Sequence, residues 1–75
     1  MSVEIAWKLY SKANSMVSLF EEFKEIAMSM AFKAASGGKL NSVDAKKIEA
    51  VYGILQVKYK EFIDFVEQVL KELRK

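Results

Sequence analysis

The 75-residue sequence contains no cysteine, no histidine and no proline, and only three glycines. Without cysteine no disulfide can brace the fold, and without cysteine or histidine the usual ligands of a structural zinc are missing. The missing histidine also removes the usual base of a nucleophilic triad. Long apolar runs are absent too. The uncharged stretch Ile26 to Phe32 has seven residues, and the longest in the chain, Ala13 to Phe20 and Ala50 to Val57, have eight, against the ~20 that a membrane-spanning helix needs. The opening "MSVEIAWK" lacks a basic region followed by an apolar run, so no secretory signal is expected. A cysteine-free chain suits a reducing compartment, and a cytoplasmic location is the expectation. No excess of charge points to a polyanionic partner: 12 basic and 10 acidic residues leave a net charge of +2.

What the chain does have is apolar surface, 52% of its residues. A chain this short forms a single domain, residues 1–75, and its core is marginal unless something reinforces it. With disulfides and zinc removed, association with another chain is the common remaining route.

The one clear interruption is "KAASGGKLNSVDAKK", residues 33–47. Gly37 and Gly38 suit the left-handed residue that ends a helix, where a Cβ would clash. Asn41 suits the cap of a following helix, and Asp44, three residues on, can reach back to the cap's backbone. The segment therefore reads as helix stop, tight turn, helix start, and predicts two long helices over about 3–35 and 42–73.

Both halves carry a heptad pattern. Ala6, Ala13, Phe20, Ala27 and Ala34 recur every seven residues, and Leu9, Met16, Phe23 and Met30 follow the first four by three. In the second half Ala45, Tyr52, Tyr59, Val66 and Leu73 hold one stripe, and Ile48, Leu55, Phe62 and Val69 the other. Alternating steps of three and four over roughly four heptads predict long helices packed at a shallow angle, as in a coiled coil. Folding the chain at the glycine pair sets Phe20 level with Tyr59, Ala27 with Tyr52, Met16 with Phe62, Phe23 with Leu55, and Met30 with Ile48. The predicted core and dimer residues are thus Leu9, Met16, Phe20, Phe23, Ala27, Met30, Tyr52, Leu55, Tyr59 and Phe62.

A lone hairpin cannot bury all of this. Ile5, Leu19 and Ile26 flank the first helix's seam on one side, and Tyr10, Val17 and Ala31 on the other. The second helix has Val51 and Phe65 on one flank, Ile63 and Leu70 on the other. An apolar face that wide belongs to a helix with two or more neighbours. The all-α fold expected is an antiparallel helical hairpin whose homodimer makes a four-helix bundle. The alternative is a monomeric three-helix bundle with the first helix broken near residues 11–15, "SKANS", where helix propensity is weak.

Candidate chemistry is thin. A Ser–Lys pair, Ser11 or Ser15 with Lys8 or Lys12, reads as ordinary helix surface. Glu21 with Glu25 and Glu61 with Asp64 lack the histidines of a di-iron bundle and fall on outward positions. "SGGK" does not have the spacing of a phosphate-binding loop. The chain is expected to be no enzyme and to carry no cofactor or metal.

Two groups of residues are candidates for binding. Trp7, Met28 and Phe32 fall outside the predicted seam, with Ile54 and Val57 on the second helix; exposed residues of the first three types are enriched at protein interfaces. They read either as core of a wider bundle or as a docking patch. Gly53, in mid-helix, reads as a tolerated surface residue or a point of close approach. Lys33, Lys39, Lys46 and Lys47 gather around the turn, either as a solvated end or as a nucleic-acid contact, which requires a dimer to bring two turns together.

The Ala6–Leu9–Ala13–Met16 and Ala27–Met30–Ala34 series, with the short turn, resembles Rop-like helical-hairpin dimers. "KKIEAVYGILQVKYKEF" is similar in texture to small helical-hairpin proteins of crenarchaeal spindle-shaped viruses. The first resemblance implies the dimeric architecture and, in that family, binding of paired RNA loops through a polar helix face. Here Glu21, Glu22 and Glu25 replace a basic stripe, so the RNA-binding residues are not carried over. The second implies an adaptor. The expectation is a non-enzymatic protein–protein adaptor or small accessory subunit that pairs with itself and with another protein. The alternative is a nucleic-acid regulator using the turn lysines. An amphipathic membrane-surface helix is disfavoured by the lack of a cationic polar face.

Overall fold

The computed structural model describes residues 3–75; Met1 and Ser2, the start of the expected 1–75 domain, lie outside the described residues. Two helices make the structure: α1 (Val3–Ala35) and α2 (Ser42–Leu73), packed against each other along their length. Their bounds match the hydrophobic pattern, and α1 runs unbroken through residues 11–15, where the three-helix alternative placed a break. Ser15 Oγ donates to the Ser11 carbonyl one turn back (3.1 Å), which ties a hydroxyl to the helix without interrupting it. The hairpin measures 57 × 17 × 15 Å.

The turn follows from local chemistry. Gly37 takes φ +87°, the left-handed conformation that a Cβ disfavours. Gly38 N–H then reaches the Lys33 carbonyl (2.9 Å) and Gly37 N–H the Ala34 carbonyl (3.1 Å), which is a Schellman ending for α1. At the start of α2 the Asn41 side chain accepts from the N–H groups of Val43 (3.0 Å) and Asp44 (3.4 Å). Asp44 Oδ2 accepts from the Asn41 N–H (2.8 Å), closing a capping box.

The two helices stay in step. Lys33 Nζ meets Asp44 Oδ2 at 2.9 Å near the turn, and Lys12 Nζ lies 5.3 Å from the centre of the Phe65 ring farther along. These two contacts are 21 residues apart on each helix, so the antiparallel register holds over three heptads. It sets Ile26 level with Val51 and Leu19 with Lys58. Met16 and Phe62 line one pocket, and Met30 and Ile48 another, as the heptad pairing predicts.

The phase of the seam differs from the sequence expectation. Leu9, Met16, Phe23, Met30, Ile48, Leu55, Phe62 and Val69 are buried or half-buried between the helices, as expected. Their companion stripe is Ile5, Lys12, Leu19, Ile26 and Lys33 with Asp44, Val51 and Phe65, every one of them buried or half-buried. Phe20, Ala27, Tyr52 and Tyr59, expected in the core, are exposed in the hairpin. Both helices are rotated toward the flank that carries Lys33, Asp44 and Lys12. An ion pair and a cation–ring contact are satisfied on that edge, and the other apolar stripe turns outward.

Among the described residues the buried apolar side chains are Met16, Leu19, Val51 and Val69, and none falls below 2% exposure. The chain exposes 6119 Å². A compact monomer of 8.6 kDa exposes about 4700 Å², so the hairpin leaves roughly 1400 Å² more surface in water than its mass requires.

Candidate functional site: the open apolar face

Helical periodicity places the outward stripe on one side of the hairpin. On α1 it runs Val3, Ala6, Tyr10, Ala13, Val17, Phe20, Lys24, Ala27, Ala31, Ala34, in unbroken steps of three and four. On α2 it runs Ala45, Glu49, Tyr52, Gln56, Tyr59, Ile63, Val66, Leu70, Leu73 with the same spacing. Each stripe lies about 110° around its helix from the buried seam, taking 100° per residue. Because the helices are antiparallel, equal rotations bring both stripes to the same side. One broad apolar face results, interrupted by Lys24, Glu49 and Gln56. Phe20 (52% exposed) and Tyr59 (53% exposed) stand near its middle.

The opposite side is more polar, although α2 exposes Val43, Ile54 and Val57 there. Its grooves are lined by Lys8 and Gln68 at one level, Ser15 and Glu61 at the next, and Ser29 and Lys47 near the turn. On the apolar side, by contrast, a groove of about 280 Å³ near the turn is lined by Phe23, Ile26, Ala27, Met30, Ala31, Ala34, Leu40 and Ile48, with no charged residue among them. The apolar side is thus the more continuous of the two, running the length of both helices.

Polar detail on the open face is sparse. Gln56 donates its amide N–H to the Tyr52 hydroxyl (3.2 Å), one turn back. Trp7 and Tyr10 make an edge-to-face pair with ring centres 5.8 Å apart at the terminal end of α1. Trp7 and Met28 border the face, whereas Phe32 (67% exposed), Ile54 and Val57 project from other sides of the hairpin. Trp7, Met28 and Phe32 therefore do not form one patch: Met28 and Phe32 sit together toward the turn, and Trp7 lies at the far end.

The turn lysines are brought to one end, but not as equals. Lys33 is held by Asp44, whose side chain is buried. The Lys33 hydrogen bond, the Asn41 N–H and the nearby charge of Lys33 and Lys47 hold the Asp44 carboxyl below its usual value, against the opposing effect of desolvation. Lys39, Lys46 and Lys47 remain exposed. Among the described residues no three Asp or Glu side chains gather as they would around a metal ion, and no helix is long and apolar enough to cross a membrane.

Reading the sequence identified both stripes but not their division of labour. The signal for it was present: Lys12, Lys33 and Asp44 fall on the stripe that became the inner edge, and two of these three need each other. Comparison of the chain with protein-family models, with curated proteins and with solved structures finds no match.

Proposed function

We propose that this protein is a non-enzymatic assembly module: two copies join through their open faces into a homodimeric four-helix bundle, which serves as an adaptor or small accessory subunit in a larger complex. The observation that carries this reading is the apolar face that runs the full length of both helices on one side of the hairpin, where the opposite side carries only the separate Val43, Ile54 and Val57 among polar residues. The roughly 1400 Å² of surplus surface per chain is more than the ~800 Å² per partner of a standard interface, and it falls in the range of obligate homodimers. A second copy matches the face in chemistry and length, because its own face has the same two stripes.

In such a bundle Phe32 and Met28 remain near the outer surface at the turn end, with Trp7 at the other, and each is present twice. They are the residues through which a further protein would be held. The test is sedimentation of the native chain beside Phe20→Ser and Tyr59→Ser variants. The native chain is expected at twice the 8.6 kDa chain mass, and both variants at the single mass under the same conditions. A native chain that sediments as a folded monomer across the micromolar range overturns the reading.

A further inference from the structure

The polar residues on the open face carry orientation. Lys24 is the one charged residue of the α1 stripe, and Glu49 and Gln56 are the polar residues of the α2 stripe. In the register set by Lys33–Asp44 and Lys12–Phe65, Lys24 lies between the levels of Gln56 and Glu49, about 4.5 Å from one and 6 Å from the other along the axis at 1.5 Å per residue. Gln56 spends an amide N–H on Tyr52 and keeps its carbonyl oxygen as an acceptor.

Two symmetric ways exist to lay one face on another. If the turns lie at the same end, the two-fold axis runs along the bundle and α1 packs on α2 of the second copy. If they lie at opposite ends, the axis crosses the bundle, and α1 packs on α1 and α2 on α2. All neighbouring helices are antiparallel in both, so helix dipoles do not choose between them.

Side chains do choose. With turns together, Lys24 reaches the Gln56 carbonyl and the Glu49 carboxylate of the second copy, and the pairing occurs twice. The alanines of α1 then face the large residues of α2: Ala27 opposite Tyr52, Ala13 opposite Ile63 and Val66, Ala6 opposite Leu70 and Leu73. Small against large fills an interface evenly. With turns apart and full overlap, Lys24 is set against Ala13 and Val17, and Glu49 against Val66. Both charges then enter apolar surroundings without a partner, which is costly. At the middle Phe20 meets Phe20 and Tyr59 meets Tyr59, but one turn or two away Ala13 meets Ala27 on one pair of helices where Tyr52 meets Ile63 and Val66 on the other, so the two pairs demand different spacings.

We infer that the second copy docks with its turn at the same end, oriented by Lys24 against Glu49 and Gln56. This inference rests on the dimer reading and goes beyond it by fixing the topology. It also brings the exposed Lys39, Lys46 and Lys47 of both copies to one end of the bundle, where solvent and salt screen their repulsion.

The chain has no cysteine, so Lys39→Cys in the turn accepts a single spin label per copy. Pulsed dipolar spectroscopy then measures the distance between turns. Helix axes in a bundle lie about 8–10 Å apart, so turns at the same end place the labels within about 30 Å. Turns at opposite ends separate them by roughly the 57 Å length of the hairpin. A single short distance is the expected result. A long distance, or a mixture of the two, overturns the orientation and leaves the dimer standing. Loss of the dipolar signal together with a monomeric mass overturns both. A charge exchange gives an independent reading. Lys24→Glu should weaken association at least tenfold, and K24E combined with E49K should restore it. Failure of that rescue in a folded dimer contradicts the pairing.

Discussion

Replacing Phe20 with serine probes the open face at its middle. The ring sits in the outward stripe of α1 with 52% of its surface in water. A phenylalanine buries 150–250 Å² when fully enclosed, so about 100 Å² remains for a second copy to cover. At ~25 cal/mol per Å² that is about 2.5 kcal/mol for each copy and about 5 kcal/mol for the symmetric dimer. Each 1.4 kcal/mol is tenfold, so Phe20→Ser should raise the dimer dissociation constant by roughly three to four orders of magnitude. Phe32 is the control. It has the same chemistry and is more exposed (67%), but it projects from another side of α1. Phe32→Ser should leave the dissociation constant within about twofold, since substitutions outside an interface have small effects. Sedimentation equilibrium at several loading concentrations supplies both constants, with circular dichroism reporting helix content on the same samples. The reasoning is refuted if Phe20→Ser dimerises like the native chain, or if Phe32→Ser is the variant that dissociates.

Four further outcomes follow from the turn and the helix interiors. Asn41→Ala removes the side-chain acceptor that caps α2, and should cost about 1 kcal/mol in urea unfolding. Asp44 titrates below its usual value because Lys33 and the Asn41 N–H hold the charged form. Its contribution to stability is therefore complete above its unfolded value near pH 3.9 and is lost as pH falls through the lower folded value; thermal melts across acid pH should show this component in the native chain and not in Asp44→Asn. Gly37→Ala forces a Cβ onto a residue at φ +87° and should destabilise by about 1 kcal/mol or more. By contrast, a Cβ on Gly53 meets nothing within 4 Å, so Gly53→Ala should raise the melting temperature through helix propensity worth up to ~1 kcal/mol.

The parts of this fold that were legible in the sequence are those decided locally. Gly37, Asn41 and Asp44 act within a few residues of themselves, and each does in the structure what its type and position predict, whereas Gly38 closes the turn through its N–H without taking the left-handed conformation. The antiparallel register was also legible, because a short turn leaves little freedom to slip. The rotation of the helices was not. Apolar residues occupy four adjacent stripes of each helix, so periodicity shows a wide face and not which half of it turns inward. The choice depends on contacts between helices: Lys33 with Asp44, and Lys12 over Phe65. Read as sequence, Lys33 belonged to a basic cluster at the turn. In the fold it is the partner of a buried carboxylate, and its removal from that cluster weakens the case for a polyanion site there.

Phe20 and Tyr59 show how the same residues suit two different expectations. Placed in the seam of one hairpin they would be core; placed outward they are surface until another chain covers them. Tyr52 and Ala27 share that position. The heptad reading set them in the hairpin's own seam, and the structure leaves them exposed there, because repetition along a helix says nothing about which neighbour supplies the cover.

The most direct test is the mass of the native chain in solution as a function of concentration. The account predicts twice the 8.6 kDa chain mass at micromolar concentration, with a melting temperature that falls on dilution. A chain that stays monomeric and melts cooperatively at a temperature independent of concentration would contradict it.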